Sequence, residues 1–234
     1  MVRIAICAPG KRLKRERAAA VEALVAGRSD VSLHFHEQCF AEDGHFAGSD
    51  DVRLAALLDC ANDPGFDAVW FVEHHFLTTF SMSPCPEVIL SAIAAQTKRI
   101  RLGFGVVILP YHHPVRVAER IAMLDHISHG RVDFGTGRSA PFEQTGMGID
   151  PRLSREMWEE SLTMIPKIWE SETFEYEGTF WKVPPREVLP KPYQKPHPPI
   201  WVAALQPATY QLAAEKGIGV MALGVNAPSV LEPS

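Results

Sequence analysis

The sequence predicts an α/β protein built around a parallel sheet, and three observations favour this fold class. Short apolar runs alternate with helical patterns along most of the 234 residues. Residues 68–72 form a continuous apolar run rich in aromatic and branched side chains, which is typical of a strand buried on both faces of a parallel sheet. The 46% hydrophobic content is enough for a substantial core. Strands that alternate with helices imply parallel pairing through crossover connections.

Six strands are expected when the count begins at Val31, and they cover 31–36, 67–72, 101–109, 131–135, 200–205 and 218–223. Helices are expected at 52–61, 87–96, from Pro114 to about Gly130, from Ser154 onwards, and at 208–216. A proline is well placed to open the helix at Pro114, and Val117, Ile121 and Leu124 fall on one face of it. The proline-rich residues 172–199 interrupt the alternation and predict an irregular excursion or a small hairpin.

The alternation leaves two parallel architectures open, a doubly wound sheet and a (β/α)8 barrel. No G-x-G-x-x-G follows the first plausible strand, so the dinucleotide-binding arrangement has weak support. Six units fall short of the eight in a complete barrel. We therefore expect an incomplete (β/α)8 TIM barrel that lacks strands 7 and 8, with residues 1–30 as an N-terminal extension of uncertain role and 31–234 as the barrel domain.

Composition excludes several classes of partner. The 23 basic and 28 acidic residues give a formal net charge of -5, which disfavours sequence-independent binding to nucleic acid. No stretch approaches the roughly 20 apolar residues needed to span a bilayer. The four cysteines show no C-x-x-C pair, so we expect reduced, mostly buried thiols in a cytoplasmic protein.

Chemically capable side chains follow the expected strand ends, where barrel enzymes place their active sites. These segments are His34 and His36, Glu73-His74-His75, Tyr111-His112-His113, Thr136-Gly137-Arg138, and Leu205-Gln206. A carboxylate and two imidazoles that directly end an apolar strand are costly to bury unless they are paired. The pattern therefore predicts a site at the C-terminal face of the sheet.

Four segments resemble the bacterial luciferase-like flavin-dependent monooxygenases. They are Glu73-His74-His75-Phe76 after the second strand, the run 101–110 followed by His113-Pro114-Val115-Arg116, the segment 124–135 with its Leu-Asp and Gly-Arg pairs, and 199–204 with the helix that follows. The resemblance implies a barrel that binds reduced FMN, supplied by a separate flavin reductase, and that uses O2 to oxidise a small-molecule substrate. It also implies a dimer and no metal ion.

The resemblance assigns roles residue by residue. His74 matches a histidine with a proton-transfer role beside the flavin ring, and Gly105-Val106 matches a bulge with a non-proline cis peptide under that ring. Arg138 and Arg155 match two arginines that hold the flavin phosphate, a task that suits the guanidinium fork. Leu205, Gln206 and Thr209 match the loop and helix start that complete the phosphate site. Pro207 departs from the family pattern because it offers no N–H.

Two other functions remain open from the residues. His34 and His36 at the end of a first strand could present zinc ligands in a metal-dependent hydrolase, with His74 and His75 adding to the set. A non-catalytic or truncated flavin-binding relative is the other alternative.

Overall fold

The computed structural model describes residues 2–7, 31–37, 66–77 and 83–222 of the chain. Its strands are β1 (Val2–Cys7), β2 (Val31–Glu37), β3 (Ala68–Phe71), β4 (Arg101–Phe104), β5 (Val107–Ile108), β6 (Val132–Gly137), β7 (Phe174–Glu177), β8 (Lys182–Arg186), β9 (Ile200–Ala204) and β10 (Gly219–Ala222). Its helices are α1 (Pro86–Gln96), α2 (Pro114–Ile127), α3 (Pro141–Gly146), α4 (Ser154–Glu170) and α5 (Pro207–Lys216).

Eight of these strands form one curled parallel sheet, in the order β1-β2-β3-β4-β6-β9-β10, with β5 also paired to β6. This arrangement confirms the predicted α/β class with a parallel sheet. Strand β1 pairs with β2 from Val2 opposite Val31 to Cys7 opposite His36. The sheet thus includes a strand from the region before Val31, where the sequence count began. The division at residue 30 stays a prediction.

The helices begin and end where local chemistry favours it. Proline occupies the first turn of α2, and the preceding His113 side chain accepts a hydrogen bond from the Val115 N–H at 3.3 Å. Helix α5 begins after Gln206 and ends at Gly217, which adopts the left-handed conformation that glycine tolerates best. The predicted helix at 52–61 lies outside the described residues.

The core lies between the sheet and the helices that cover its outer face. Phe71, Phe104 and Phe134 on three successive members of the sheet are almost completely buried. Trp169 of α4 packs edge-on against Phe134, with ring centroids 5.5 Å apart. Large apolar side chains at helical spacing in α2 and α4 complete the cluster, and this packing fixes the strand ends that carry the polar residues.

Three segments differ in detail from the expected elements. The predicted strand at 101–109 is divided into β4 and β5 by a cis peptide between Gly105 and Val106, which agrees with the expected non-proline cis bond. The proline-rich excursion contains the antiparallel hairpin β7–β8. The short helix α3 was not predicted. None of the described helices has the length and apolar character that a bilayer crossing requires.

Candidate active site

Glu73 organises the site on the side of β3 and β5. The side chain lies two residues beyond the end of β3 and is 3% exposed. One carboxylate oxygen accepts hydrogen bonds from His75 Nε2 at 3.1 Å and from His112 Nε2 at 2.7 Å. The other accepts the Ile108 N–H at 2.8 Å. Glu73 therefore ties together the loops that follow β3 and β5.

The Glu73 carboxyl stays ionised despite its burial. Burial alone would raise its pKa, but hydrogen bonds from His112, His75 and the Ile108 N–H, together with the charge of His112, hold the pKa below its usual range. An ionised carboxylate only accepts hydrogen bonds. Both imidazoles must therefore present an Nε2–H to Glu73.

Glu143 is a second buried carboxylate, and it approaches from the loop after β6. It lies in the short helix α3 and is 0% exposed. It accepts the His75 N–H at 2.7 Å, the Ser139 hydroxyl, and His74 Nδ1 at 3.2 Å. Burial opposes its ionisation, whereas the bonds from His75 and Ser139 and the contact with His74 lower its pKa overall.

Tyr111 adds a neutral phenol to the same region. Its ring meets the His75 imidazole edge-on, with centroids 5.6 Å apart. Burial raises the pKa of Tyr111 to about 12, and the negative charges of Glu143 and Glu73 add to the effect, although Ser139 opposes it. The Tyr111 hydroxyl therefore keeps its proton near neutral pH and can act only as a neutral donor or acceptor.

The predicted phosphate-binding arginines lie close together where β6 ends and α4 begins. Arg138 directly follows β6, and its Nη1 donates to the Ser154 hydroxyl at 3.3 Å at the start of α4. Burial lowers the pKa of Arg138, and the positive charge of Arg155 lowers it further, while Glu159 opposes that effect. Arg155 is itself paired with Glu159 at 2.8 Å. Two cations held side by side at a helix start favour an anionic ligand.

The third predicted part of the phosphate site, at Leu205, Gln206 and Thr209, follows the strand next to β6. Strands β6 and β9 are neighbours, so that Leu205 and Gln206 follow a strand end adjacent to the one that carries Arg138. Leu205 is 71% exposed and Gln206 precedes the first turn of α5. The Thr209 N–H donates to the Gln206 carbonyl at 2.9 Å. The Thr209 backbone donor is therefore used within the turn, and Pro207 has none to offer.

The cis peptide lies between the end of β4 and the start of β5, which pairs with β6. The Gly105 N–H donates to the Phe71 carbonyl at 2.7 Å, which continues the pairing with β3. The Val106 side chain packs over Gly137, where an added Cβ would lie 2.6 Å from Val106 Cγ2. Gly137 is thus required for β5 to approach β6 so closely. The structure brings His74, Gly105, Val106 and Arg138 to successive strand ends of one face.

A family profile described as luciferase-like monooxygenase matches residues 32–232. The chain belongs to this family. Among curated relatives, the oxygenase component of a flavin-dependent trigonelline monooxygenase from Acinetobacter baylyi is 36% identical over 171 residues, which cover 72% of this chain and 47% of the relative. Limonene 1,2-monooxygenase from Rhodococcus erythropolis is 35% identical over 191 residues, which cover 81% of this chain and 48% of the relative. The chain spans about half the length of these curated relatives.

Solved structures of similar proteins agree with this family membership. Monooxygenase RslO1 from Streptomyces bottropensis is 36% identical, with a TM-score of 0.74, over 82% of this chain and 59% of its own. The oxygenating constituent of 3,6-diketocamphane monooxygenase from Pseudomonas putida, solved in complex with FMN, is 25% identical, with a TM-score of 0.65, over 80% of this chain and 57% of its own. A coenzyme F420-dependent reductase from Methanopyrus kandleri shares the fold, with a TM-score of 0.64 at 24% identity.

Sequence reasoning missed Glu143 and the loop that positions it in this luciferase-like protein. The available signal was Pro141, which suits a first helical position, two residues before an acidic residue suited to the first turn. In the described part of the chain, no group of three or more His, Cys, Asp or Glu side chains is arranged to hold a metal ion. The His34 and His36 side chains lie outside the described residues.

Proposed function

We propose that this luciferase-like protein is a flavin-dependent monooxygenase that uses FMN, reduced by a separate flavin reductase, and O2 to oxidise a small organic substrate. The observation that carries the proposal is the pairing of two sites on one face of the sheet. The buried carboxylates Glu73 and Glu143 contact three partly exposed imidazoles that could exchange protons. Arg138, which follows β6, lies beside Arg155 in the first turn of α4, and together they could bind an anion.

The anion site fits the phosphate of FMN. Arg138 donates a single 3.3 Å hydrogen bond within the described residues and is repelled by Arg155, whose own charge is only partly offset by Glu159. An added anion would attract both guanidinium groups. A guanidinium binds phosphate oxygens through two parallel donors. We assign the phosphate to Arg138 and Arg155, with the region of Leu205, Gln206 and Thr209 as its outer wall.

The relatives support the choice of flavin and of reductase. The Acinetobacter relative is named as the oxygenase component of a flavin-dependent enzyme, which is consistent with a second component that reduces the flavin. The Pseudomonas neighbour was solved with FMN bound. We propose FMN on this basis, and we further propose that the sheet is part of a (β/α)8 barrel in a dimeric cytoplasmic protein.

The chemistry assigns clear tasks to this chain's own residues. Reduced flavin would supply two electrons, so that one atom of O2 enters the substrate and the other leaves as water. Arg138 and Arg155 would bind and orient the phosphate end, and the segment at Gly105 and Val106 would lie under the ring. His74 would accept or donate the proton that the reacting groups exchange near neutral pH.

Anaerobic titration of the folded protein with reduced FMN tests the flavin site, with oxidised FMN and a reduced deazaflavin as comparison ligands. We expect saturable binding of reduced FMN. Absence of binding to a protein shown to be folded by circular dichroism would overturn the assignment of the flavin site. Tighter binding of the reduced deazaflavin than of reduced FMN would mean that a deazaflavin is the cofactor.

The His74→Ala variant tests the catalytic assignment separately. Flavin affinity should change little, whereas the rate of product formation should fall about 10²–10⁴-fold, the range expected for a lost acid–base group. The measurement is product formed per flavin oxidised with a panel of small substrates. Unchanged coupling in His74→Ala would show that His74 takes no part in the reaction.

A further inference from the structure

The Glu143 carboxylate is fixed by hydrogen bonds from two different segments of the chain. The His75 N–H approaches from the segment after β3, and the Ser139 hydroxyl approaches from the loop after β6. Gln144 fixes that loop in turn, since its amide donates to the Arg138 carbonyl at 2.7 Å and to the Ser139 carbonyl at 3.2 Å. The carboxylate is therefore held in place independently of His74.

His74 meets this carboxylate through one ring nitrogen. Its Nδ1 lies 3.2 Å from Oε1 and 3.3 Å from Oε2 of Glu143, and the imidazole side chain is 26% exposed. The His74 backbone is fixed as well, because its N–H donates to the Ser83 carbonyl at 3.0 Å. The contact therefore joins a fully buried anion to a partly exposed imidazole ring.

An ionised carboxylate has no proton to donate, so each of its neighbours must supply one. The Glu143 carboxyl is ionised near neutral pH because its hydrogen bonds outweigh the effect of burial on its pKa. His74 must then carry its proton on Nδ1, and in the neutral ring the lone pair lies on Nε2.

We infer that Glu143 is a positioning residue that holds His74 in the Nδ1–H tautomer, so that Nε2 is the atom that accepts a proton during turnover. The consequence for catalysis rests on the proposed function, whereas the tautomer itself does not. Once Nε2 has taken a proton, the buried negative charge 3.2 Å away stabilises the imidazolium. Glu143 thus orients the ring before the proton moves and stabilises the ring's charge afterwards.

The Glu143→Gln variant removes the negative charge of residue 143 and nearly preserves the shape of the side chain. The amide oxygen can keep the short bond from the His75 N–H, which places the amide nitrogen beside Ser139 and His74 Nδ1. That nitrogen donates and lies 3.3 Å from Nδ1, so it weakens the preference for the Nδ1–H form, although the amide oxygen, 3.2 Å from Nδ1, can still accept this proton. Glu143→Ala removes both the acceptor and the shape, and Glu175→Gln on the exposed face of β7 provides a charge-matched control.

Nitrogen-15 NMR of the histidine rings reads the tautomer directly, without flavin or substrate. We expect the Nδ1–H form of His74 in the parent and in Glu175→Gln, a partial shift to Nε2–H in Glu143→Gln, and the largest shift in Glu143→Ala. The Nε2–H form in the parent, or an unchanged tautomer in folded Glu143→Gln and Glu143→Ala, would overturn the inference.

Turnover measurements then connect the tautomer to catalysis. In Glu143→Ala we expect kcat to fall about 10²–10⁴-fold, and in Glu143→Gln to fall less. The affinity for reduced FMN should stay nearly unchanged in both, and Glu175→Gln should equal the parent. A shifted tautomer with unchanged coupling would confirm the positioning role and count against the proposed role of His74. An equal loss of flavin affinity and of kcat would show that Glu143 supports the fold of the site and does not act through His74.

Discussion

Arg131, which is buried, and Arg138, which is partly buried, lie at opposite ends of β6, and their surroundings differ sharply. Arg131 precedes the strand and donates five hydrogen bonds, to the carbonyls of Ala94, Thr97, Ile100 and Ser128 and to the Thr97 hydroxyl, at 2.7–3.0 Å. Arg138 follows the strand and donates one, at 3.3 Å, within the described residues. Burial lowers the pKa of both guanidinium groups.

The two ends of the sheet handle buried charge in different ways. At the N-terminal end, Arg101 pairs with Asp133 at 2.6 Å, and Asp125 accepts two hydrogen bonds from Gln194 at 2.8 Å each. Each of these charged groups is satisfied by an opposite charge or by amide donors, and these contacts bind helix ends to strand starts. At the C-terminal end, the carboxylates pair with imidazoles, and Arg138 lies next to another cation. The first arrangement supports the fold, and the second leaves capacity for a ligand and for protons.

The largest effect is expected for Arg131→Met, which keeps the apolar stem and removes all five donors. The carbonyls at the ends of α1 and α2 would then be buried without this partner, so we expect a loss of about 3–5 kcal/mol in the free energy of unfolding. Denaturant titration measures it. The exposed Arg116→Met, which breaks the pair with Glu119, should cost no more than about 1 kcal/mol. Similar small losses for both variants would erase the contrast between the two ends.

For Arg138→Ala we expect a smaller free-energy change, and we expect it in flavin binding and not in folding. We expect the affinity for FMN to fall about 10- to 100-fold, which corresponds to about 1.5–3 kcal/mol, while the free energy of unfolding changes little. Riboflavin, which lacks the phosphate, should bind the variant and the parent equally. Equal losses for both ligands would place Arg138 with Arg131 as a residue of the fold.

Much of the fold follows from local patterns. The helix that begins at Pro114 and the apolar strand at 68–71 are confirmed because proline and periodicity act over a few residues. The division of the strand at 101–109 was expected only through the family resemblance. Helix α3 has 6 residues, too few for a periodic pattern to reveal it.

The sequence indicated which residues lie near the candidate site, but it did not indicate which of them contact one another. His74 and Arg138 were candidates because each comes shortly after an expected strand, and the family resemblance assigned their roles, which stay predictions. The role of Glu143 depends on contacts with His74 and His75, which lie 69 and 68 positions away along the chain. The pairing of β3, β4 and β6 in one sheet brings these residues together. A local sequence pattern covers only a few residues, so it cannot predict a contact between residues so far apart in the chain.

The smallest expected effect is on the free energy of unfolding at low pH, and it concerns Glu73, a carboxylate paired with imidazoles. Because the pKa of Glu73 is lowered in the folded protein, its stabilisation is present above the unfolded-state value of about 4.3 and is lost as pH falls through the folded-state value. Glu73→Gln cannot titrate and replaces charge-assisted bonds with neutral ones, so it should cost about 1 kcal/mol at neutral pH. The difference between parent and variant should then shrink steadily in acid. Denaturant titrations at a series of pH values, with Glu175→Gln as the exposed control, measure that difference. A difference that stays constant as the pH is lowered would mean that Glu73 contributes through its shape and not through its charge.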